Sequence, residues 1–173
     1  EYYEDGTIRW LVSGDIHLEE IFDCEGKITE QGYRNSNAKY LPINSVLIAL
    51  NGQGKTRGTV ALLKCKATCN QSLVSIIPKN TNEITSDFLY FNLKNRYQEI
   101  RKITSDTGND RRGLNMGLIK KINIKYPKDI KLQNEYVDRS KLLISNVKVF
   151  QETIKKKSNM YLRLKEAILN QEL

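Results

Sequence analysis

An α+β fold is predicted for these 173 residues: a mixed or antiparallel β-rich domain over 1–130, then one long, coiled-coil-forming α-helix over 131–173. Three observations predict it. Residues 1–131 hold short apolar runs broken by Gly, Asn and Asp, with the length and spacing of strands. From Lys131 onwards there is no Gly or Pro, and helix-forming residues dominate. Within that second stretch Tyr136, Ser140, Leu143, Val147, Phe150, Ile154, Lys157, Tyr161, Leu164 and Ile168 step by four and three without a slip. That is an unbroken heptad register.

The strands are expected at "TIRWLV" (7–12), "SVLIAL" (45–50), "GTVALLKC" (58–65), "SLVSIIP" (72–78) and "KINIKY" (121–126), all short and rich in β-branched residues. Between them "TSDFLYFNLKNRYQEIRKI" (85–103) reads as one helix, capped by Thr85 or Ser86, with Phe88, Phe91, Ile100 and Ile103 on its apolar side. A short second helix is expected from Leu114 to Lys120. No internal repeat is present. The final helix is predicted to run about 60 Å, too long for the domain's own surface to cover. Its seam, Tyr136, Leu143, Val147, Phe150, Ile154, Tyr161, Leu164 and Ile168, therefore calls for a partner helix. Ser140 and Lys157, polar at core positions, would lower stability while restricting register.

Composition narrows the class. With 39% apolar and 28% charged residues the chain is expected to fold, and no apolar run approaches the roughly 20 residues that span a bilayer. Three cysteines, Cys24, Cys65 and Cys69, are an odd count that reads as reduced thiols in a cytoplasm. Cys65 and Cys69 have metal-like spacing, but no second pair follows and the single histidine, His17, is distant in sequence, so no metal site is expected. The net charge of +8 is uneven. Residues 1–30 carry nine acids against two bases, whereas 31–93 carry seven bases against two acids and 94–131 eleven against four. Such concentration suits a polyanionic partner.

The stretch "ALNGQGKTRG" (49–58) ends like a phosphate-binding loop, yet Ala49 stands where the first glycine belongs. The β-branched "GTVALLKC" follows where a helix is required. It reads instead as a hairpin tip carrying Asn51, Gln53, Lys55, Thr56 and Arg57, side chains suited to base edges and phosphates. A second loop, "TSDTGNDRRGLN" (104–115), sets Ser105, Thr107, Asn109, Asp110, Arg111, Arg112 and Asn115 around two glycines. Catalytic material is sparse. His17 has no Ser or Cys partner in a recognisable frame. Asp15 with Glu25 and Lys27 only loosely mimics a magnesium nuclease signature, and there is no glycine-rich cofactor fingerprint or methyltransferase motif.

In order along the chain, "YYEDGTIRWLVSGDI" (2–16), "KYLPINSVLIALNGQGKTRGTVALL" (39–63), "ATCNQSLVSIIP" (67–78), "RRGLNMGLIKKINIKYP" (111–127), "LQNEYVDR" (132–139) and "LKEAILNQEL" (164–173) resemble the specificity subunits of Type I restriction-modification systems. Together they span nearly the whole chain. The resemblance implies a target recognition domain over 1–130 and one conserved-region helix over 131–173. It further implies antiparallel packing of two such helices, so that two recognition domains read the halves of a split DNA site. Adenine methyltransferase (modification) subunits and, through them, a restriction/translocase subunit would dock on this frame. The family pattern places a further segment upstream of "YYEDG", so the chain is expected to be a fragment, a half-subunit that homodimerises, or part of a fusion.

Residues expected at DNA are Gln53, Lys55, Thr56, Arg57, Arg111, Arg112 and Asn115, with Asn70 and Gln71 supporting the hairpin. The expected function is non-catalytic, sequence-specific recognition of double-stranded DNA, without a cofactor. The alternatives are the target recognition region of a fused restriction–methylation enzyme, a basic coiled-coil assembly protein, and a metal-dependent nuclease.

Overall fold

Short β-branched segments separated by turn residues build the first unit, and an uninterrupted helix builds the second. The computed structural model describes residues 1–52, 54–105 and 113–170, which divide into units Glu1–Gln133 and Asn134–Leu173. In chain order the elements are β1 (Ile8–Leu11), a 3₁₀ turn (Ser13–Leu18), β2 (Glu20–Ile21), β3 (Lys27–Ile28), α1 (Glu30–Arg34), β4 (Val46–Ala49) and β5 (Val60–Leu63). There follow β6 (Thr68–Cys69), β7 (Leu73–Ile76), α2 (Ser86–Asn95), α3 (Tyr97–Ser105), α4 (Met116–Ile119) and α5 (Ile130–Leu169). The chain is thus a mixed α+β domain, β-rich at its centre, with a long C-terminal helix.

One sheet has the order β3-β1-β6 and the other β2-β5-β4-β7. β1 runs antiparallel to β3 and parallel to β6, while β5 runs parallel to β2 and antiparallel to β4, which is also antiparallel to β7. Every residue of "VLIA" in β4 and "VALL" in β5 is buried, which explains why these strands read as continuous apolar runs rather than alternating ones. Helix α2 covers β4 and β5. The core centres on Leu11, Ile16, Ile21, Leu47, Ala49, Ala61, Leu63, Ala67 and Leu73.

Two expectations are corrected. The predicted single helix over 85–103 is broken at Arg96, whose φ/ψ of −98°/17° ends α2 before Tyr97 opens α3. The Arg96 guanidinium reaches Glu99 and the Asn123 carbonyl (Nη1–O 2.7 Å), contacts that apolar periodicity does not report. The N-cap is Thr85, whose hydroxyl accepts from the Phe88 N–H at 3.1 Å. The second correction is "KINIKY": residues 121–126 are not a strand. Ile122 and Ile124 do alternate inward, lining an apolar groove with Ile76, Leu89, Leu93 and Ile119, but their backbone joins no ladder. One-sided burial alone produced the strand-like pattern.

Asp129 caps the start of α5, accepting from the Lys131 N–H at 2.8 Å. At 40 residues α5 runs about 60 Å. In the second unit Leu143, Val147, Phe150, Ile154, Tyr161, Leu164 and Ile168 are each 50–68% exposed. No helix among the described residues is long and apolar enough to cross a membrane.

Candidate nucleic-acid interface

Three polar segments converge on Leu50. The β4–β5 ladder (Ile48 opposite Val60) continues outward through Ala49 N–H to the Thr59 carbonyl (3.0 Å) and Gly58 N–H to the Ala49 carbonyl (2.9 Å). Residues 49–58 therefore join two antiparallel strands, not a strand to a helix, the geometry that a nucleotide-phosphate loop lacks. At the mouth of this tip the Leu50 N–H donates to the Ser72 carbonyl at 2.8 Å, tying in the β6–β7 turn. The Leu50 carbonyl accepts from the Leu114 N–H, also at 2.8 Å, tying in the end of the second predicted loop. Gly113 lies so close to Asn51 that a Cβ there would overlap the Asn51 side chain. Gly52, at φ 131°, adopts a backbone that L-residues avoid, and a Cβ would strike Thr56. These two glycines make the convergence possible.

Helix α3 braces the tip from the side. Tyr97 and Arg101, four residues apart and so on one face, reach across more than 40 residues of sequence. The Tyr97 hydroxyl donates to the Lys55 carbonyl (3.0 Å). Arg101 Nη1 donates to the Gly54 carbonyl (2.5 Å) and to the Tyr97 hydroxyl (2.9 Å). Thr59 Oγ1 also donates to the Lys55 carbonyl, at 2.5 Å. With its carbonyls held inward, the tip turns the Lys55 side chain to solvent.

The predicted DNA residues divide by what their side chains do. Lys55, Gln71 and Asn115 are exposed. Thr56 Oγ1 lies 3.0 Å from His17 Nε2, which gives the lone histidine a structural partner. Arg57 is only 8% exposed. Asn70 folds its Oδ1 onto the Ser72 N–H (3.0 Å) and hydroxyl (2.5 Å), shaping the turn that presents Gln71. The Asn115 side chain caps α4 by accepting from the Leu118 N–H at 3.0 Å, fixing where the second loop ends. Gln53, Arg111 and Arg112 lie outside the described residues, as do Thr107, Asn109 and Asp110. The bracing roles of His17, Tyr97 and Arg101 were missed in the sequence. The i, i+4 spacing of Tyr97 and Arg101 was a visible signal, but not what it faced.

Of the residues weighed for catalysis, Asp15 and Lys27 have structural occupations. Asp15 accepts from the Val12 N–H at 2.8 Å and shapes the 3₁₀ turn. Lys27 pairs with Asp23 (2.9 Å), which also binds Arg9 (2.7 Å). Those two cations hold the Asp23 carboxyl well below the usual carboxylate range. Burial pushes the thiols of Cys24, Cys65 and Cys69 up, disfavouring the thiolate that a metal or an electrophile requires. Among the described residues no group of three or more His, Cys, Asp or Glu is arranged to hold a metal ion.

Residues 1–162 match the family described as the Type I restriction modification DNA specificity domain, and the chain belongs to it. It is 28% identical over 109 residues to the EcoR124I/EcoR124II specificity subunit of Escherichia coli, covering 62% of this chain and 26% of that protein. The crystal structure of the Type-I restriction-modification system S subunit from M. genitalium superposes with a TM-score of 0.53 at 21% identity, over 88% of this chain and 38% of that one. This second likeness establishes a shared fold. The chain thus spans about a quarter to two-fifths of the length of the relatives it matches.

Proposed function

We propose that this chain reads one half of a split site in double-stranded DNA and acts, without catalysis or a cofactor of its own, as a specificity component of a Type I restriction-modification complex in the cytoplasm. The observation that carries the reading is the convergence on Leu50, which supports a single recognition surface made from the 50–58 tip, the 70–72 turn and the 113–115 segment. Lys55 is assigned to phosphate and Gln71 to a base edge, and Gln53, Arg111 and Arg112 are proposed to contact the DNA as well. Thr56, Arg57, Asn70 and Asn115 act chiefly by holding it in shape.

The exposed register of α5 supports a second role. Leu143, Val147, Phe150, Ile154, Tyr161, Leu164 and Ile168 form a seam that a second helix of like register would cover, from another copy or from the other half of a longer chain. In that arrangement the paired helices space two recognition domains and offer surface to methyltransferase subunits and, through them, to the restriction/translocase subunit.

The test is duplex binding by the full chain across a salt series, followed by selection from a random duplex pool. Binding should fall steeply with salt, as released counterions require, and one sequence should be enriched. Binding without sequence preference would reduce the surface to a generic polyanion site.

A further inference from the structure

The Asn70–Ser72 turn has two sides. One faces the hairpin tip through Leu50, as above. On the other, the Asn70 N–H donates to the Leu11 carbonyl at 3.0 Å, and the turn forms one wall of a separate groove of about 380 Å³. The opposite wall is the 36–38 loop, with Trp10, half-buried on β1, also lining the groove. The loop is shaped internally: Ser36 Oγ donates to the Tyr33 carbonyl (3.2 Å) and accepts from the Ala38 N–H (3.3 Å). The segment beyond it is tied to the strip that leads into β6 by the Leu41 N–H to Ala67 carbonyl bond at 2.7 Å. Asn37 and Gln71 are therefore exposed amides on opposing walls of one groove.

The groove's lining is uncharged, and the strip beside it carries both lysines and the Tyr40 on which the Glu30 carboxylate acts. Among the described residues no carboxylate lines this groove. Lys39 follows the 36–38 loop directly, and Lys66 sits with its ammonium 4.0 Å from the Tyr40 ring centroid on the same strip. Amides carry both donors and acceptors, so they suit base edges, particularly adenine, where Asn or Gln bonds bidentately. The neighbouring lysines suit the phosphates on either side.

We infer that the groove between the 36–38 loop and the 70–72 turn, lined by Trp10, is a second DNA-reading site, with Asn37 as a specificity-determining residue opposite Gln71. This rests on the DNA reading above and extends it. One duplex crossing the hairpin tip continues over the 70–72 turn into the groove, so that Gln71 lies at the junction and Asn37 reads beyond the bases served by the tip. Lys39 contributes charge without sequence.

The test uses the full chain and selection from a random duplex pool, comparing wild type with Asn37→Ala, Lys39→Ala and Lys55→Ala. Asn37 is exposed, so its loss leaves the fold intact, which a thermal melt verifies. The Asn37→Ala chain should lose discrimination at one or two positions at an edge of the enriched sequence by about 5- to 150-fold, with the remaining positions unchanged. Lys39→Ala should keep the sequence and lower the salt slope by about one phosphate contact. Lys55→Ala should weaken binding while leaving the positions read by Asn37 intact. An unchanged enriched sequence and affinity for Asn37→Ala, beside a clear wild-type preference, overturns the groove assignment and leaves the hairpin reading standing. A wild-type chain that enriches no sequence overturns both.

Discussion

Replacing Tyr97 by Phe isolates the brace beneath the hairpin tip. The change removes one oxygen, which donates to the Lys55 carbonyl at 3.0 Å and accepts from Arg101 Nη1 at 2.9 Å. Each such bond contributes about 0.5–1.5 kcal/mol net. Both are partly solvated, and each partner keeps another contact: Lys55 O retains Thr59 Oγ1, and Arg101 retains the Gly54 carbonyl. The expected loss is therefore about 1 kcal/mol, and it falls on the tip. In amide hydrogen exchange, Gly58 and Thr59, whose N–H groups bond Ala49 and Thr56 carbonyls, should exchange about five times faster. Amides within β4 and β5 should be unaffected, and Tm should fall by no more than about 2–4 °C. Specific DNA affinity should fall more than non-specific affinity, because the tip is less pre-organised. Unchanged exchange at Gly58 and Thr59 would refute the bracing role. Uniformly faster exchange across both sheets would make Tyr97 an ordinary packing residue.

Other substitutions probe the rest of the account. Gln133 is fully buried and serves three backbone groups: it donates to the carbonyls of Glu83 (2.6 Å) and Pro127 (2.8 Å) and accepts from the Thr85 N–H (2.9 Å). Gln133→Leu should cost about 3 kcal/mol, read as a lower denaturation midpoint at constant m. Leu47→Ala, at a position with no exposure, should cost roughly 2–5 kcal/mol by the same measurement. On the proposal that the seam of α5 pairs with a second copy, Phe150→Glu places a charge in it and should weaken that self-association by about tenfold or more in analytical ultracentrifugation, with the first unit's melting unchanged. Asp23 has its folded pKa depressed by Lys27 and Arg9. Its stabilising contribution should be complete above the unfolded carboxylate pKa of about 3.9 and be lost as pH falls below it. The difference in Tm between wild type and Asp23→Asn should accordingly shrink between pH 6 and pH 2, and a difference that grows would reverse the sign.

The parts of the fold visible in the sequence were those governed by local rules. The β4 and β5 runs, the Thr85 cap and the unbroken helix α5 all follow from side-chain type and local pattern. The two-residue strands β2, β3 and β6 carry too little sequence for any period, since parallel partners define β2 and β6 and an antiparallel one defines β3. "KINIKY" misled for the opposite reason: its alternation is real, but burial of Ile122 and Ile124 needs no strand partner. At the break, Arg96 bonds the Asn123 carbonyl, 27 residues away, a contact that no local window contains. Of the candidate site, the tip and its glycines were legible, because a left-handed Gly52 and a close-packed Gly113 leave a compositional mark. Which tip side chains face solvent was not. Arg57 and Lys55 look equivalent in the sequence, yet the fold buries the first to 8% exposure and leaves the second exposed, a difference set by tertiary packing rather than by local pattern.

Mapping methylated adenines in a host that carries the complete system, with the wild-type chain and with Gln71→Ala, decides whether the surface around Leu50 chooses the site. The wild type should give one methylated sequence, split into two halves. Gln71→Ala should make the half assigned to this chain degenerate at one position, leaving the spacing and, where a different recognition domain reads it, the other half unchanged. If both chains give the same methylated sequence at the same occupancy, the surface gathered around Leu50 does not choose the site.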